Sequence, residues 1–355
     1  MAKNYKNKIN LFFCINSLQN GGAEKQLNYL SNYLSLKHNI HIFTLEKSVY
    51  NYKFNSNIKI YNLDNLYYLF FFIKKLLTLK PKVVFLILPK AYFYFGSILI
   101  FFPHIKCVLM RRSLNYYQKN IIFKYYEIFL HKFTYFFICN SYSSKKNLIS
   151  SEYVGRNNIM VIDNFIKLTK YSTRKKKNLK FKILCIANFY KYKGHYLLLK
   201  SLSLIKDIPW ELHLLGQSRD LSINQIKKIS RELNIEKRVK YLKKIKKEYS
   251  YPYYSLGVLF SETESFPNAI LEYFSLKLPV LAFNVGDISR LINIKNGSLL
   301  NKRNPNHVAM KINELYLDKN LDNKSKFSFS SIKKFSNTQK TLEKYNQFIE
   351  KLCVE

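Results

Sequence analysis

A series of short, mainly apolar runs, separated by segments with helical spacing, constrains the fold of this 355-residue chain most strongly. Strands that helices cover on both faces are continuously apolar, whereas half-exposed strands alternate. The intervening segments include Ala23–Leu36 and Tyr196–Ile205. Alternation of strand and helix predicts an α/β fold built from right-handed βαβ units. The runs are Ile9–Ile15, Ile40–Leu45, Val83–Leu88, Cys107–Met110, Tyr135–Cys139, Ile159–Ile162, Phe181–Ile186, Trp210–Leu215, Val239–Leu242, Val258–Phe260 and Val280–Phe283.

A polar, basic segment without periodicity, Tyr171–Lys180, has the composition of a linker. It divides the chain into two halves, each with its own α/β series. We therefore expect two Rossmann-like doubly wound domains, residues 1–166 and 181–335, followed by a C-terminal helix over 336–355 that packs back toward the first domain. Two such domains hold a ligand in a cleft between them, at the carboxyl ends of the strands.

The charge balance is strongly positive, with 59 Lys+Arg against 22 Asp+Glu and a net charge of +37. Partners that fit this charge are nucleic acid, an anionic membrane surface or phosphate-bearing substrates. A/T-rich coding would also produce many lysines, although it does not explain the scarcity of acids. The sequence contains no helix-turn-helix, zinc-finger or RNA-binding signature, which disfavours nucleic acid.

The cysteines and the N-terminus indicate a cytoplasmic protein. The five cysteines are scattered without a Cys-x-x-Cys pair, so neither a zinc site nor a disulfide framework is expected. Met1–Asn10 is basic but lacks a cleavage site for a signal peptide. Val83–Pro103 approaches the roughly 20 residues that span a bilayer, but Pro89 and Lys90 interrupt it, so we expect a strand followed by a short helix.

In each half of the chain, a glycine-containing turn follows the first strand. Gly21 and Gly22 follow Ile9–Ile15, where a helix N-terminus offers N–H groups to an anion. Lys193-Gly194 follows Phe181–Ile186 and places a lysine where it can reach a phosphate. Each turn has a simpler interpretation: a plain strand-to-helix connection in the first case, a solvated loop lysine in the second.

The most specific motif is the segment Phe260–Glu272, with the sequence FSETESFPNAILE. A strand ends, a polar turn follows, and a helix begins near Pro267, a residue favoured in the first helical turn. Glu264 lies in the turn and Glu272 in the helix, so two carboxylates near one helix start can bind sugar and ribose hydroxyls. Alternatively, Glu264 interacts with the helix dipole and Glu272 is a surface residue.

Taken together, these motifs resemble those of the retaining glycosyltransferase family four, which has the two-domain GT-B architecture. The resemblance extends in the same order over almost the whole chain and includes the Glu-x7-Glu signature of Glu264 and Glu272. The matching segments are Gly21–Glu24, Lys193–Gly194, Leu212–Gly216, Glu264–Glu272, Leu278–Val280, Gly286 and Asn296–Leu300.

The resemblance implies a transfer of a sugar from a UDP- or GDP-sugar to a saccharide or lipid-linked saccharide, with retention of configuration, in surface polysaccharide or glycolipid synthesis. It implies an acceptor-binding first domain and a nucleotide-sugar-binding second domain. Glu264 and Lys193 are the implied catalytic residues, and no metal or other cofactor is expected. The implied donor-binding residues are Gly21, Gly22, Asn188, Lys193, Gly216, Glu264, Ser265, Phe266, Pro267, Asn268 and Glu272.

Three departures from the family pattern bear on the site. Asn188 stands where the family usually has arginine, which leaves the diphosphate one positive charge short unless another base substitutes. Ser265 replaces the glycine that normally follows the first glutamate. The sugar-facing histidine of many members is not found in the first half. Arg111 and Arg112 are candidates for binding the acceptor or the donor phosphate, or are a surface pair in a basic protein.

Basic-aromatic stretches in the first half suit a helix at an anionic membrane interface, and equally suit the packing of an aromatic-rich core. In the first case the enzyme is peripheral at the inner face of a membrane. Alternative functions are a non-catalytic relative, an epimerase or phosphorylase of the same architecture, and a basic nucleic-acid-binding protein. The stretches are Leu66–Lys80, Tyr92–Lys106 and Ile121–Phe137.

Overall fold

The chain divides into two compact units, residues 1–164 with 338–355 and residues 165–337. A computed structural model describes residues 8–19, 21–47, 52–63, 67–114, 120–168, 180–243 and 253–354. The expected linker, Tyr171–Lys180, lies almost wholly outside the described residues.

The first unit is built on a seven-stranded parallel sheet with the strand order β3-β2-β1-β4-β5-β6-β7. Its order reverses between β1 and β4, where Phe13 pairs with Phe85. The strands are Asn10–Ile15 (β1), Asn39–Thr44 (β2), Lys59–Asn62 (β3), Val83–Ile87 (β4), Lys106–Arg111 (β5), Phe136–Cys139 (β6) and Ile159–Val161 (β7). The helices between them are Gly22–Leu34 (α1), Tyr68–Leu79 (α2), Pro89–Leu99 (α3), Ile121–His131 (α4) and Tyr142–Ser151 (α5).

The second unit is built on a six-stranded parallel sheet with the order β10-β9-β8-β11-β12-β13. The strands are Phe181–Ile186 (β8), Trp210–Leu215 (β9), Val239–Leu242 (β10), Leu256–Leu259 (β11), Val280–Phe283 (β12) and Gly297–Leu300 (β13). The helices are His195–Ser203 (α6), Ile223–Glu232 (α7), Asn268–Ser275 (α8), Pro305–Leu317 (α9), Leu321–Ser331 (α10) and Lys333–Ser336 (α11). The last helix of the chain, Thr338–Val354 (α12), belongs to the first unit.

Neighbouring residues of a strand in the second unit enter different cores. Ile183 and Cys185 pack in one hydrophobic cluster, while Leu184 between them packs in another. Successive side chains of a strand point to opposite faces, so both faces of this sheet are covered. Double coverage is the physical reason that the strand sequences are apolar throughout.

The structure confirms the α/β class and the two Rossmann-like domains. Every apolar run of the sequence corresponds to a strand, but two strands lie outside those runs. Strand β3 is an edge strand with partly exposed residues, so its sequence, KIYN, lacks a continuous apolar signal. Strand β13 is also at an edge and begins at Gly297.

Val83–Pro103 forms the buried strand β4 and the short helix α3, as its interruption by Pro89 and Lys90 predicts. Among the described residues, no helix is long and apolar enough to cross a membrane. The cysteines are free thiols, and burial raises the pKa of Cys107, Cys139 and Cys185 to about 12.

Candidate active site

In the second unit, the candidate residues converge at the carboxyl edge of the sheet. The chain runs outward from β8 through β9 to β10, then returns to place β11 on the other side of β8. The loops that follow β8 and β11 therefore leave from adjacent strands in opposite directions. Ligands of doubly wound sheets bind in the crevice that such a reversal creates.

Lys193 and Glu264 form an ion pair at this point. The distance from Lys193 Nζ to Glu264 Oε1 is 2.5 Å, and the two side chains are 17% and 12% exposed. Ser261 Oγ donates a second hydrogen bond to Glu264 Oε1 at 2.6 Å. Burial lowers the pKa of Lys193, but Glu264, Tyr192 and Cys185 together raise it by more, so its pKa lies above the usual value. Lys193 is therefore a stable cation held beside a fixed carboxylate.

Gly194 allows the Lys193 loop to approach β11. Residues Lys191–Lys193 form a single turn of 3₁₀ helix, and Gly194 follows it with a φ of +73°. A Cβ atom at Gly194 would lie 2.2 Å from the carbonyl oxygen of Phe260. The backbone N–H of Glu262 also donates to the carbonyl of Tyr192 at 2.8 Å. The two loops are thus joined through backbone contacts that a side chain at Gly194 would break.

The loop from Glu264 to Pro267 is held from the far side by the loop after β12. Gly286 has a φ of +58°, and a Cβ atom there would lie 1.7 Å from the carbonyl oxygen of Glu264. The backbone N–H of Asp287 donates to the carbonyl of Ser265 at 3.2 Å. Helix α8 begins at Asn268, directly after Pro267, so the predicted helix start is correct.

Side chains of this loop differ in exposure. Ser265, Phe266 and Pro267 are buried, whereas Asn268 is half-buried at the first position of α8. Glu272 lies one turn further along the helix and is also half-buried. Glu264 thus lies in the loop that precedes α8, and Glu272 lies within α8 itself.

Asn188 and Gly216 connect the loops after β8 and β9. The Asn188 side-chain oxygen accepts a hydrogen bond from the backbone N–H of Gln217 at 3.0 Å. A Cβ atom at Gly216 would lie 2.0 Å from the carbonyl oxygen of Ala187, so this close approach requires glycine. Asn188 therefore has a structural bond, and a neutral amide stands where the family pattern has a cation.

Arg303 is a cation at this edge that the sequence analysis missed. Its guanidinium donates to the carbonyl of Phe260 at 3.0 and 3.1 Å and to the carbonyl of Ser261. The same group lies 4.2 Å from the centre of the Phe283 ring. Partial burial lowers its pKa, and the Glu262 carboxylate opposes that change. In the sequence, Arg303 is one base among many after β13, so only the fold identifies its contacts.

In the first unit, Gly21 lies after β1 and Gly22 begins α1. The Tyr52 hydroxyl is 3.1 Å from both the backbone nitrogen and the carbonyl oxygen of Gly21. A Cβ atom at Gly21 would lie 2.2 Å from a carboxylate oxygen of Glu24, so a side chain here would displace that carboxylate. The Tyr52 hydroxyl thus contacts the backbone of this turn, and the Glu24 carboxylate lies beside Gly21.

Arg111 is not accessible to an acceptor or a donor phosphate, which corrects the expectation for this residue. Its guanidinium is 5% exposed and pairs with Glu127 at 2.8 Å and with Glu152. These carboxylates and His131 could supply three metal ligands within 4.8 Å of one another, but Arg111 already forms an ion pair with both carboxylates. The cluster is a buried ion-pair network, in which each charge needs the others.

Arg112, the next residue, is half-buried and bonded within the first unit. It donates to the Asn164 side-chain oxygen at 2.9 Å and to the Tyr345 hydroxyl of α12 at 2.8 Å. Both partners are neutral, so its positive charge is not balanced by these two bonds. Arg112 remains a candidate for binding a phosphate.

Comparison with known proteins identifies the kind of domain that carries the Lys193–Glu264 pair. Residues 180–318, which include all six strands of the second unit, match the family model described as glycosyl transferases group 1. A search of curated protein sequences finds no significant match.

Similar solved structures cover nearly the whole chain. Sucrose-phosphate synthase from Thermosynechococcus elongatus is 15% identical, with a TM-score of 0.84 over 98% of this chain and 100% of its own. HepE from Anabaena, in complex with UDP-glucose, is 15% identical, with a TM-score of 0.83 over 97% of this chain and 100% of its own. A glycosyltransferase from Rickettsia africae is 16% identical, with a TM-score of 0.75 over 98% of this chain and 99% of its own.

At these identities the solved structures show a shared fold, and the family model adds the kind of domain. The second unit thus carries a glycosyl transferases group 1 domain, and the chain is a glycosyltransferase of GT-B fold.

Proposed function

We propose that this enzyme transfers a sugar from a UDP- or GDP-sugar to a saccharide or lipid-linked saccharide, with retention of configuration, as in glycosyltransferase family four. The observation that carries the proposal is the Lys193–Glu264 pair at the reversal point of the second sheet. The structure of HepE with UDP-glucose, on the same fold, supports a nucleotide-sugar as the donor.

In this proposal Lys193 stabilises the negative charge that develops on the departing nucleoside diphosphate, because a fixed cation lowers the energy of that state. Glu264 accepts hydrogen bonds from hydroxyls of the transferred sugar, with backbone groups of Ser265–Asn268 nearby. Glu272 binds the ribose, while Gly216 and Asn188 shape the adjoining loops. Gly21 and Gly22 of the first unit let backbone approach the donor.

The distribution of positive charge replaces a divalent metal in this mechanism. Lys193 is one cation, and Arg303 places a second, its guanidinium, on the carbonyls of Phe260 and Ser261. We expect donor hydrolysis to continue at the same rate in EDTA. A loss of activity in EDTA that Mg²⁺ or Mn²⁺ restores would contradict the metal-independent mechanism.

The proposed setting is the cytoplasmic side of a membrane, in the synthesis of surface polysaccharide or glycolipid. Two proteins with similar structures are WaaB, a lipopolysaccharide outer core galactosyltransferase, and WaaG, a glycosyltransferase involved in lipopolysaccharide biosynthesis. The basic-aromatic helices of the first unit suit a membrane surface. An acceptor attached to a lipid is therefore the favoured class.

A donor screen tests the proposal. We expect one of the UDP-, GDP-, ADP- or dTDP-sugars to raise the melting temperature and to be hydrolysed slowly without acceptor. Glu272→Gln should weaken that donor about 10- to 100-fold, because a charge-assisted hydrogen bond contributes roughly 1.5–3 kcal/mol. Glu232→Gln, at an exposed glutamate of α7, is the matched control.

Four results would contradict the proposal. Equal donor affinity in Glu272→Gln would remove the ribose role from this residue. Failure of every donor to bind would favour a non-catalytic relative, and isomerisation or phosphorolysis of the donor would favour an epimerase or phosphorylase. Binding to duplex DNA that persists with donor present, and that salt weakens, would favour a nucleic-acid partner.

A further inference from the structure

Helices α2, α3 and α4 of the first unit line an apolar cavity of about 660 Å³ that opens to the surface. This volume lies within the roughly 300–1,000 Å³ of small-molecule sites. Apart from Ser97, each lining residue has an aromatic ring or an aliphatic chain. The Ser97 hydroxyl is engaged by the Phe93 carbonyl and the Tyr126 hydroxyl. The lining residues are Tyr68, Leu69, Ile73, Phe93, Tyr94, Ser97, Ile98, Phe101, Phe102 and Tyr126.

Exposed apolar side chains are found at this cavity and elsewhere on the helices that form it. Phe101 is 79% exposed on its rim, Ile122 is 73% exposed on α4, and Phe70 is 70% exposed on α2. Ring contacts join the helices: Tyr68 meets Tyr94, and Phe93 meets Phe123. A contiguous apolar face of this kind marks a binding surface for a protein, a ligand or a membrane.

The positive charge around this face indicates which of these partners fits it. Between residues 66 and 135 the sequence contains a single acid, Glu127, among many lysines and arginines. Glu127 is buried and paired with Arg111, so the three helices present no carboxylate to solvent. Lys74 is exposed in the middle of α2, and Lys132 is exposed directly after α4. Lys75 lies over the rings of Tyr61 and Phe71.

A second copy of the chain fits this face poorly, because two copies would bring lysines against lysines. An anionic bilayer fits it in both respects: phosphate headgroups pair with the lysines, and hydrocarbon covers the aromatic side chains. We propose that α2, α3 and α4 dock on an anionic bilayer and that the cavity between them receives one acyl chain of an anionic phospholipid. This inference rests on the proposed location at a membrane. It adds which surface of the protein contacts the bilayer and which lipid group enters the cavity.

Vesicle flotation without donor or acceptor tests the docking. The wild-type chain should bind vesicles of equal parts phosphatidylglycerol and phosphatidylcholine at least tenfold more tightly than pure phosphatidylcholine. Phe101→Asp should reduce that binding at least tenfold. Phe327→Asp, at a half-exposed phenylalanine of α10 in the second unit, is the matched control and should bind as the wild type.

Photo-crosslinking tests the cavity itself. A phosphatidylglycerol with a diazirine near the end of one acyl chain should label peptides that line the cavity, most strongly in α2 and α3. Ser97→Leu fills the cavity without changing the surface charge, so it should reduce labelling several-fold while vesicle binding persists. Circular dichroism and melting temperature establish that each variant is folded.

Several results would overturn the inference. Equal binding to both kinds of vesicle would exclude recognition of anionic lipid, and labelling outside the lining residues would exclude acyl-chain entry. A dimer or a nucleic-acid complex that protects this face and competes with vesicles would assign the face to another partner. Lys193→Ala should bind vesicles as the wild type does, so failure of the transferase proposal and failure of this inference are distinguishable.

Discussion

At the residue scale, the Lys193–Glu264 pair joins two side chains that are 71 positions apart in sequence. Each has a neighbour that fixes its position: Gly194 brings the lysine loop against Phe260, and Ser261 donates to the glutamate. Because the pair is mostly buried, removal of one partner leaves the other with an uncompensated charge. Substitutions here therefore affect stability as well as catalysis, and the two effects need separate measurements.

Lys193→Ala should lower the rate of donor hydrolysis about 10²- to 10³-fold, the usual cost of losing one group that stabilises developing negative charge. The measurement is turnover at saturating donor, compared with the free energy of unfolding of the same variant. Lys191→Ala, two residues away at an exposed lysine, is the control and should keep its activity. A folded Lys193→Ala enzyme with full turnover would exclude the lysine from the mechanism.

Arg303→Ala should destabilise the second unit by about 1–2 kcal/mol, because hydrogen bonds from a charged donor to the Phe260 and Ser261 carbonyls are lost. Urea unfolding measures this change, and donor KM should rise with it. Lys302→Ala removes an adjacent exposed charge and serves as the control. Arg303→Lys should restore only part of the stability, since an ammonium lacks the planar fork of donors.

At the element scale, the site depends on loops that approach each other more closely than side chains allow. The loops after β8, β11 and β12 meet at Gly194 and Gly286, both with positive φ. Backbone carbonyls of Phe260 and Glu264 occupy the space where a Cβ atom would lie. Glycine at these positions therefore fixes the distance between neighbouring loops, and with it the distance between Lys193 and Glu264.

Gly194→Ala should reduce the free energy of unfolding by at least about 2 kcal/mol, because a left-handed conformation and a backbone clash add together. Gly155→Ala is the matched control. Gly155 has a φ of −61°, and its added Cβ would meet no atom within 4 Å. The control should be neutral or slightly stabilising. Equal effects of the two substitutions in urea unfolding would mean that the Gly194 contact is not as described.

At the scale of the whole molecule, each unit contains a buried histidine that resists protonation. Burial lowers the pKa of His41 in the first unit and of His195 in the second to about 4. Nearby lysines contribute to the shift at His41. Between about pH 4 and 6.5 these histidines bind protons in the unfolded chain but not in the folded one, so stability rises with pH through this window.

The change amounts to about 3 kcal/mol for each histidine across that window. His195→Gln should make the free energy of unfolding less dependent on pH, by up to about 1.4 kcal/mol per pH unit. Urea titrations between pH 4 and 7 measure this slope. His104→Gln, at an exposed histidine, is the control and should leave the slope unchanged. An unchanged slope in His195→Gln would mean that His195 is accessible to protons.

The fold was largely predictable because a parallel strand between two helical layers has a recognisable composition. The apolar runs identified every central strand, and Pro267 marked the start of α8. Strand β3 was missed because its residues are partly or fully exposed, which removes the continuous apolar signal. Strand β13 lies outside the apolar runs and was indicated only by the resemblance of Asn296–Leu300 to a strand of the family. For the candidate site, the spacing of Glu264 and Glu272 and the turn at Lys193-Gly194 were visible as local patterns.

What the sequence determined by itself was therefore local: which segments are strands, where helices begin, and which loops carry charged residues beside glycine. The tertiary structure alone decided which of those loops meet. Sheet order brings Lys193 to Glu264 and Arg303 to the Phe260 carbonyl, while it buries Arg111 between Glu127 and Glu152. The strands on either side of the reversal point, β8 and β11, are distant in sequence, so the contacts between their loops follow from packing of the whole domain and from no local pattern.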